Sequence, residues 1–185
     1  MERYFYIDKK TKDLFEIVEA RIRRLQNWGS VESIRRMGCA VERQVGASYV
    51  SLKELAECFS PDLKLSVLLW RTGRREEQIL AAFLLPLSIS PSEVEEFFSG
   101  CISYEIAEYF GSLYISKRCD LKDYFIPRWA SVRQHPFKQT AVLTGTAKYK
   151  MQNPEDESIS GFFVDVSNVD YEDEYVKIVA ARYKI

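Results

Sequence analysis

The sequence predicts an all-α protein, and three observations carry that expectation. Apolar residues recur three and four apart through most of the 185 residues, while period-two alternation is hard to find. Two capping boxes stand ahead of apolar runs, Ser51-Leu-Lys-Glu54 and Ser90-Pro91-Ser-Glu93. In each, a serine oxygen and a glutamate three residues on can satisfy free N–H groups at a helix start. Glycines fall at the ends of periodic stretches, where a left-handed residue stops a helix. With 46% hydrophobic and 14% aromatic residues, the chain is read as one domain, 1–185, with a core of its own.

Taken in order, residues 1–12 read as an N-terminal extension. Leu14, Ile17, Val18, Ile22 and Leu25 then form the first stripe, ending near Trp28-Gly29. Val31, Ile34, Met37, Val41 and Val45 form the next, stopped by Gly46. Ser51 is expected to cap the third helix, and Ser60-Pro61-Asp62 to start the fourth, since proline is tolerated at the first helical position. The run Leu65 to Trp70 is dense on all sides and is expected to be buried, with Gly73 as its stop. Arg74 to Leu87 follows, then the helix opened by Ser90. Further helices are expected over Cys101 to Ile115, Asp120 to Ser131 with a break or restart at Pro127, and Pro136 to Tyr149. A polar linker at 152–157 leads to Ser158–Val166 and Glu172–Lys184. Helix pairs recur about every 35–45 residues, a spacing that suits a HEAT-like helical-repeat solenoid of antiparallel pairs.

Composition removes several classes of function. Net charge is −1, from 26 basic and 27 acidic residues, so binding of nucleic acid by bulk charge is not expected. Charge is nevertheless uneven: Arg21, Arg23, Arg24, Arg35, Arg36 and Arg43 cluster early, and 155–174 carries acids with no lysine or arginine. Cys39, Cys58, Cys101 and Cys119 form no CxxC pair, and no signal-peptide pattern opens the chain. They are expected to be reduced thiols of a cytoplasmic protein. The apolar run Ile79 to Leu87 is too short to span a membrane and contains Pro86. A single histidine, His135, precedes Pro136 and reads as a turn residue. Without close His/Cys spacing, a Walker loop or GxGxxG, neither metal nor nucleotide cofactor is expected.

GASYVSLKELAECFSPDLKLSVLLWRTGRREEQILAAFLL, Gly46 to Leu85, resembles the HEAT-like-repeat DNA alkylation repair proteins, the alkylpurine DNA glycosylases. The match lies at Gly46, Leu52, Leu55, Ala56, Pro61, Asp62, Leu65, Trp70, Gly73, Glu76, Leu80 and Ala81. PRWASVRQHPFKQTAVL, Pro127 to Leu143, resembles the family's Trp-Ala-x-Ser segment and the basic helix after it. The resemblance implies a Trp and an Asp one turn apart on a helix that approaches the lesion, the carboxylate stabilising the cationic sugar. Those positions fall on Tyr104 and Glu108, and the family's backbone-facing arginine falls on Gln139. Each substitution alters size, reach or charge, so base excision is expected to be lost or weakened.

Helical geometry alone sets Tyr104 and Glu108 roughly 200–240° around from Ile102, together with Gly111 and Ile115. That face lies away from the stripe Ile102, Ile106, Tyr109, Phe110 and Leu113, and is either the wall of a groove or a half-exposed helix surface. One reading is therefore a double-stranded-DNA-binding relative of the repair enzymes, with Arg71, Arg74, Arg75, Lys117, Arg118, Arg133, Lys138 and Lys148 as candidate phosphate contacts. The other is a non-enzymatic helical-repeat scaffold that takes a protein partner in its groove. Neither needs a metal or a membrane.

Overall fold

A computed structural model describes residues 7–36, 40–159, 161 and 169–182, and all regular structure among them is helical. Contacts divide the chain into two units, Met1–Ser88 with Glu95–Ile102, and Ile89–Val94 with Ser103–Ile185. No described helix is long and apolar enough to cross a membrane.

In the first unit, α1 (Lys9–Arg24) begins inside the expected extension because Asp8 caps it, accepting from the Thr11 N–H at 2.9 Å. Asp8 also receives Lys64 at 2.6 Å. Val18 and Ile22 are buried, but Ile17 is 46% exposed. One residue, about 100° of helix rotation, separates it from the inner face. Helix α2 (Trp28–Arg36) is shorter than its apolar stripe suggested. A 3-10 turn at Val41–Arg43 follows, and Met37 lies outside the described residues.

The loop after this turn folds back instead of continuing as helix, with the Asn27 N–H donating to the Val45 carbonyl at 2.9 Å. Gly46 takes φ +75°, and a Cβ there would sit 2.4 Å from the Asn27 carbonyl oxygen. The left-handed backbone and the close approach both require glycine.

Helix α3 (Tyr49–Ala56) is capped by Ser48, which accepts from the Ser51 N–H at 3.1 Å. The expected cap, Ser51, is thus the donor. The α4 helix (Leu63–Arg71) is capped by Asp62, so Pro61 precedes the cap rather than occupying the first turn. Leu65, Leu69 and Trp70 are buried as expected, and Gly73, at φ +61°, follows the helix end.

Helix α5 (Arg75–Leu84) supplies interior polar side chains that hold loops in place, Glu76 and Gln78 foremost. Glu76, 1% exposed, accepts from the Val45, Gly46 and Ala47 N–H groups at 3.1, 3.0 and 3.2 Å and from Arg75 at 3.0 Å. Gln78 donates to the Trp70 and Gly100 carbonyls and accepts from the Ile102 N–H. Each satisfies backbone groups that burial would otherwise leave unpaired. Gly46 and Glu76, two of the positions in the resemblance, are therefore two halves of one contact.

Helix α6 (Pro91–Phe98) opens on the expected capping box. The Glu93 carboxylate accepts from the Ser90 N–H at 3.0 Å, and the Glu93 N–H donates to Ser90 Oγ at 3.3 Å.

In the second unit, α7 (Tyr104–Leu113) starts at the Ser103 cap, three residues later than Cys101. A 3-10 turn (Ile115–Lys117) and a π-helical turn (Leu121–Phe125) lead to α8 (Ile126–Trp129). Pro127 stands in the first turn of α8, which is the restart expected there. The long α9 (Pro136–Gln152) is capped by His135, whose Nδ1 accepts from the Phe137 N–H at 3.2 Å. The expected linker contains a real loop, fastened by Asp156, which receives Lys122 at 2.5 Å and the Tyr149 hydroxyl at 2.7 Å. Of the last two expected helices, 162–166 lies outside the described residues, and α10 (Glu174–Arg182) stands in for the other. Leu143 of α9 packs with Tyr171, Val176, Val179 and Ala180 in an apolar cluster that seats α10.

Two buried phenols, Tyr114 and Tyr171, and the half-buried Tyr104 make alkaline pH a probe of this core. Burial is the first cause that pushes Tyr104, Tyr114 and Tyr171 up to about 12. In the unfolded chain a tyrosine ionises near pH ~10. Between those values the unfolded chain loses protons that the folded protein keeps, so stability falls with rising pH. We expect the melting temperature to be flat from pH 7 to 9 and to drop steeply above pH 10. A flat profile through pH 11 would contradict it.

Candidate functional site

The α7 helix carries the candidate site: its start is set by the Ser103 cap and its inner face by Ile106, Phe110 and Leu113. Its second face is an interface between helices. A Cβ on Gly111 would lie 2.2 Å from the Ala141 carbonyl oxygen of α9, and one on Gly145 would lie 2.9 Å from the Gly111 carbonyl oxygen. Ile115 is fully buried beside Gly145. Of the face described from the sequence, Gly111 and Ile115 are buried, while Tyr104 and Glu108 stay half-exposed, one of the two expectations for them. Small residues on α9 let it pack directly on the face that Tyr104 and Glu108 share with Gly111.

Tyr104 and Glu108 stand beside this contact and are covered by α10 and the residues before it. The Tyr104 ring stacks on Tyr175 at 4.3 Å between centroids and 22° between planes, with Phe137 edge-on at 4.9 Å. Its hydroxyl donates to Asp173 Oδ2 at 2.5 Å. Asp173 Oδ1 in turn accepts from the Tyr175 and Val176 N–H groups, which makes it the N-terminal cap of α10. One oxygen of Glu108, Oε1, accepts both the Tyr175 hydroxyl at 2.8 Å and Arg182 at 2.9 Å.

The electrostatics follow from these bonds. Burial, then the bond to Asp173, raises the Tyr104 phenol. Asp173 is held below the usual carboxylate range although its burial pulls the other way, because the Tyr104 hydroxyl and two N–H groups favour its charged form. Burial and then Glu108 raise the Tyr175 phenol. Arg182 is raised against its burial by Glu108. A carboxylate already engaged by a guanidinium and a phenol has less field to offer a developing cation than an unpaired one.

Gln139, the third residue of the expected site, is 3% exposed and donates through Nε2 to the Ser131 carbonyl at 2.8 Å. It braces the turn before α9. Lys138 projects elsewhere, its ammonium 5.5 Å from the centre of the Trp129 ring.

The basic candidates divide by environment. Arg75 and Arg118 are interior, at 4% and 5% exposure. Arg75 bonds Glu76 and the Ala47 carbonyl; Arg118 bonds Asp120, the Ile89 carbonyl and the Tyr114 hydroxyl. Arg74 is engaged by Glu19 and Glu77. Arg75 and Arg118 are corrected from phosphate contacts to structural cations, because they are interior and bond acids and carbonyls there, while Arg74 is paired but keeps a third of its side chain exposed. Arg71, Lys117 and Arg133 are exposed, and Lys148 is half-buried.

Asp173, Tyr175 and Arg182 were missed as site residues. Their only sequence signal was membership of an expected helix at 172–184, and nothing local ties that helix to Tyr104 or Glu108. Among the described residues, no group of three or more His, Cys, Asp or Glu side chains is placed to hold a metal ion. Cys58, Cys101 and Cys119 are thiols, and Cys39 lies outside the described residues.

No protein-family model, curated protein or solved structure matches this chain.

Proposed function

We propose that this chain is a DNA alkylation repair-like protein of HEAT-like helical-repeat architecture that binds duplex DNA and has lost base excision. The observation that carries the loss is the engagement of Glu108 by Tyr175 and Arg182, with Tyr104 stacked against Tyr175. An aromatic and a carboxylate stand one turn apart, as the resemblance implies, but both are committed to the chain's own last helix. That helix is seated by Val176 and Val179, both fully buried, so uncovering the pair requires exposing apolar core.

The accessible cations Lys117, Arg133 and Lys148 support duplex binding of modest strength. Each phosphate they neutralise releases a counterion, contributing about −0.9 to the slope of log affinity against log salt. We expect Lys117→Ala and Lys148→Ala each to weaken binding and to flatten that slope by about one. No retention of duplex at about 20 mM salt, where the Debye length is about twice its value at 0.1 M, would remove the reading. A glycosylase assay on N3- and N7-methylated purines is expected to show no release above background. Release that disappears with Glu108→Gln would show that excision persists.

The withdrawal of Arg74, Arg75 and Arg118 into structural pairs favours a second reading, the non-enzymatic scaffold for a protein partner. It leaves fewer cations for phosphate. Under that reading a stable protein complex forms and duplex DNA is not retained.

A further inference from the structure

An open cleft of about 630 Å³ lies within the second unit, a size ordinary for small-ligand sites. Arg133 and Glu172 both line it, and both are exposed. Among the described residues, neither the Arg133 guanidinium nor the Glu172 carboxylate forms an ion pair or a side-chain hydrogen bond. Two opposite charges on one cleft that do not reach each other are available to one ligand carrying both kinds of group.

The remaining lining narrows the ligand. Asp173 has spent its oxygens on Tyr104 and the two N–H groups of α10, so Glu172 is the open acceptor. Gln139 is fixed by its bond to Ser131, which leaves its amide oxygen held in one orientation. Val132, 47% exposed, and Pro136 add apolar surface against which a flat ring can lie.

We propose that this cleft binds a guanine nucleotide, with the base on Val132 and Pro136, its donor edge on Glu172 and its phosphate on Arg133. An ionised carboxylate only accepts. Guanine presents two adjacent donors, N1–H and the N2 amino group, on its pairing edge. Adenine and cytosine set an acceptor beside their amino donor, which a carboxylate repels. The guanidinium fork suits a terminal phosphate. The inference rests on the cleft and does not require duplex binding; Arg133 is common to both readings, whereas Glu172 belongs to the cleft.

The test is isothermal titration of the full chain with GMP, guanosine, AMP and CMP at low salt. GMP is expected to bind, with AMP and CMP about tenfold weaker or more, the discrimination of one well-made bidentate pair. Glu172→Gln is expected to erase that preference, and Arg133→Ala to weaken GMP about tenfold while leaving guanosine unchanged. Both side chains are exposed, so unaltered melting temperatures are expected to show that the variants fold. No binding of GMP at millimolar concentration, equal affinity for GMP and AMP, or an unchanged preference in Glu172→Gln would each overturn the proposal. GMP failure with duplex binding intact overturns the cleft and leaves the duplex reading standing; GMP binding without duplex retention does the reverse.

Discussion

Glu76→Ala is expected to destabilise the protein by about 3–5 kcal/mol, the usual cost of removing one partner of a buried, hydrogen-bonded charge pair. The substitution strands the N–H groups of Val45, Gly46 and Ala47 and leaves Arg75 without its carboxylate at 3.0 Å. No water replaces that acceptor without entering a position that is 1% exposed. Since ordinary domains are stable by only about 5–15 kcal/mol, the variant is expected to melt far below the parent or to accumulate unfolded. Glu76→Gln is the informative companion. Its amide oxygen can still accept from Gly46 and Ala47, while the charge opposite Arg75 is gone. We expect it to fall between the parent and Glu76→Ala in denaturant unfolding. A loss below about 1 kcal/mol for the alanine variant, the worth of an ordinary net hydrogen bond, would show that the loop does not depend on this carboxylate.

Gly111→Ala is expected to be nearly as damaging for a different reason. The new methyl group would lie 2.2 Å from the Ala141 carbonyl oxygen, 3.0 Å from its carbon and 3.1 Å from its Cα. All three atoms are backbone in the middle of α9, so no side-chain rotation relieves the clash, and α7 and α9 must separate. Overpacking of this kind costs about 1–3 kcal/mol and at times more. For a chain of this size the melting temperature is expected to fall by roughly 5–10 °C. Gly29→Ala is the control, because its Cβ meets only the flexible Asn27 side chain, at 3.5 Å. We expect that variant to stay within about 1 kcal/mol of the parent, since alanine favours helix over glycine. Equal melting temperatures for Gly111→Ala and Gly29→Ala would refute the close helix contact.

These two positions show where local reading works and where it stops. The Ser90–Glu93 box, the restart at Pro127 and the stop at Gly73 are set by interactions within a few residues, and the run Leu65 to Trp70 is apolar enough on all sides to announce its burial. Each was legible from its own neighbourhood. The cap at Ser48 was misplaced by three residues because Ser48 and Ser51 offer the same hydroxyl chemistry, and only the path of the preceding loop selects between them. That path depends on Glu76, about thirty residues away. The stripe from Val31 to Val45 looked continuous for the same reason: periodicity records which residues are apolar, not where a distant carboxylate draws the backbone out of helix.

The site divides in the same way. That Tyr104 and Glu108 are neighbours on one face follows from their spacing of four in a helix. Their surroundings do not follow from it. Gly111 and Gly145 let α9 come within contact of that face, and Leu143, Tyr171, Val176 and Val179 seat the last helix over what is left. Tyr175 and Arg182, 67 and 74 residues after Glu108, then reach its carboxylate. The sequence by itself determined the helical class, most helix starts and the pairing of an aromatic with an acid. Only the tertiary structure decided whether that pair faces a ligand or its own chain, because burial and charge pairing are set by segments that sequence distance does not bring together.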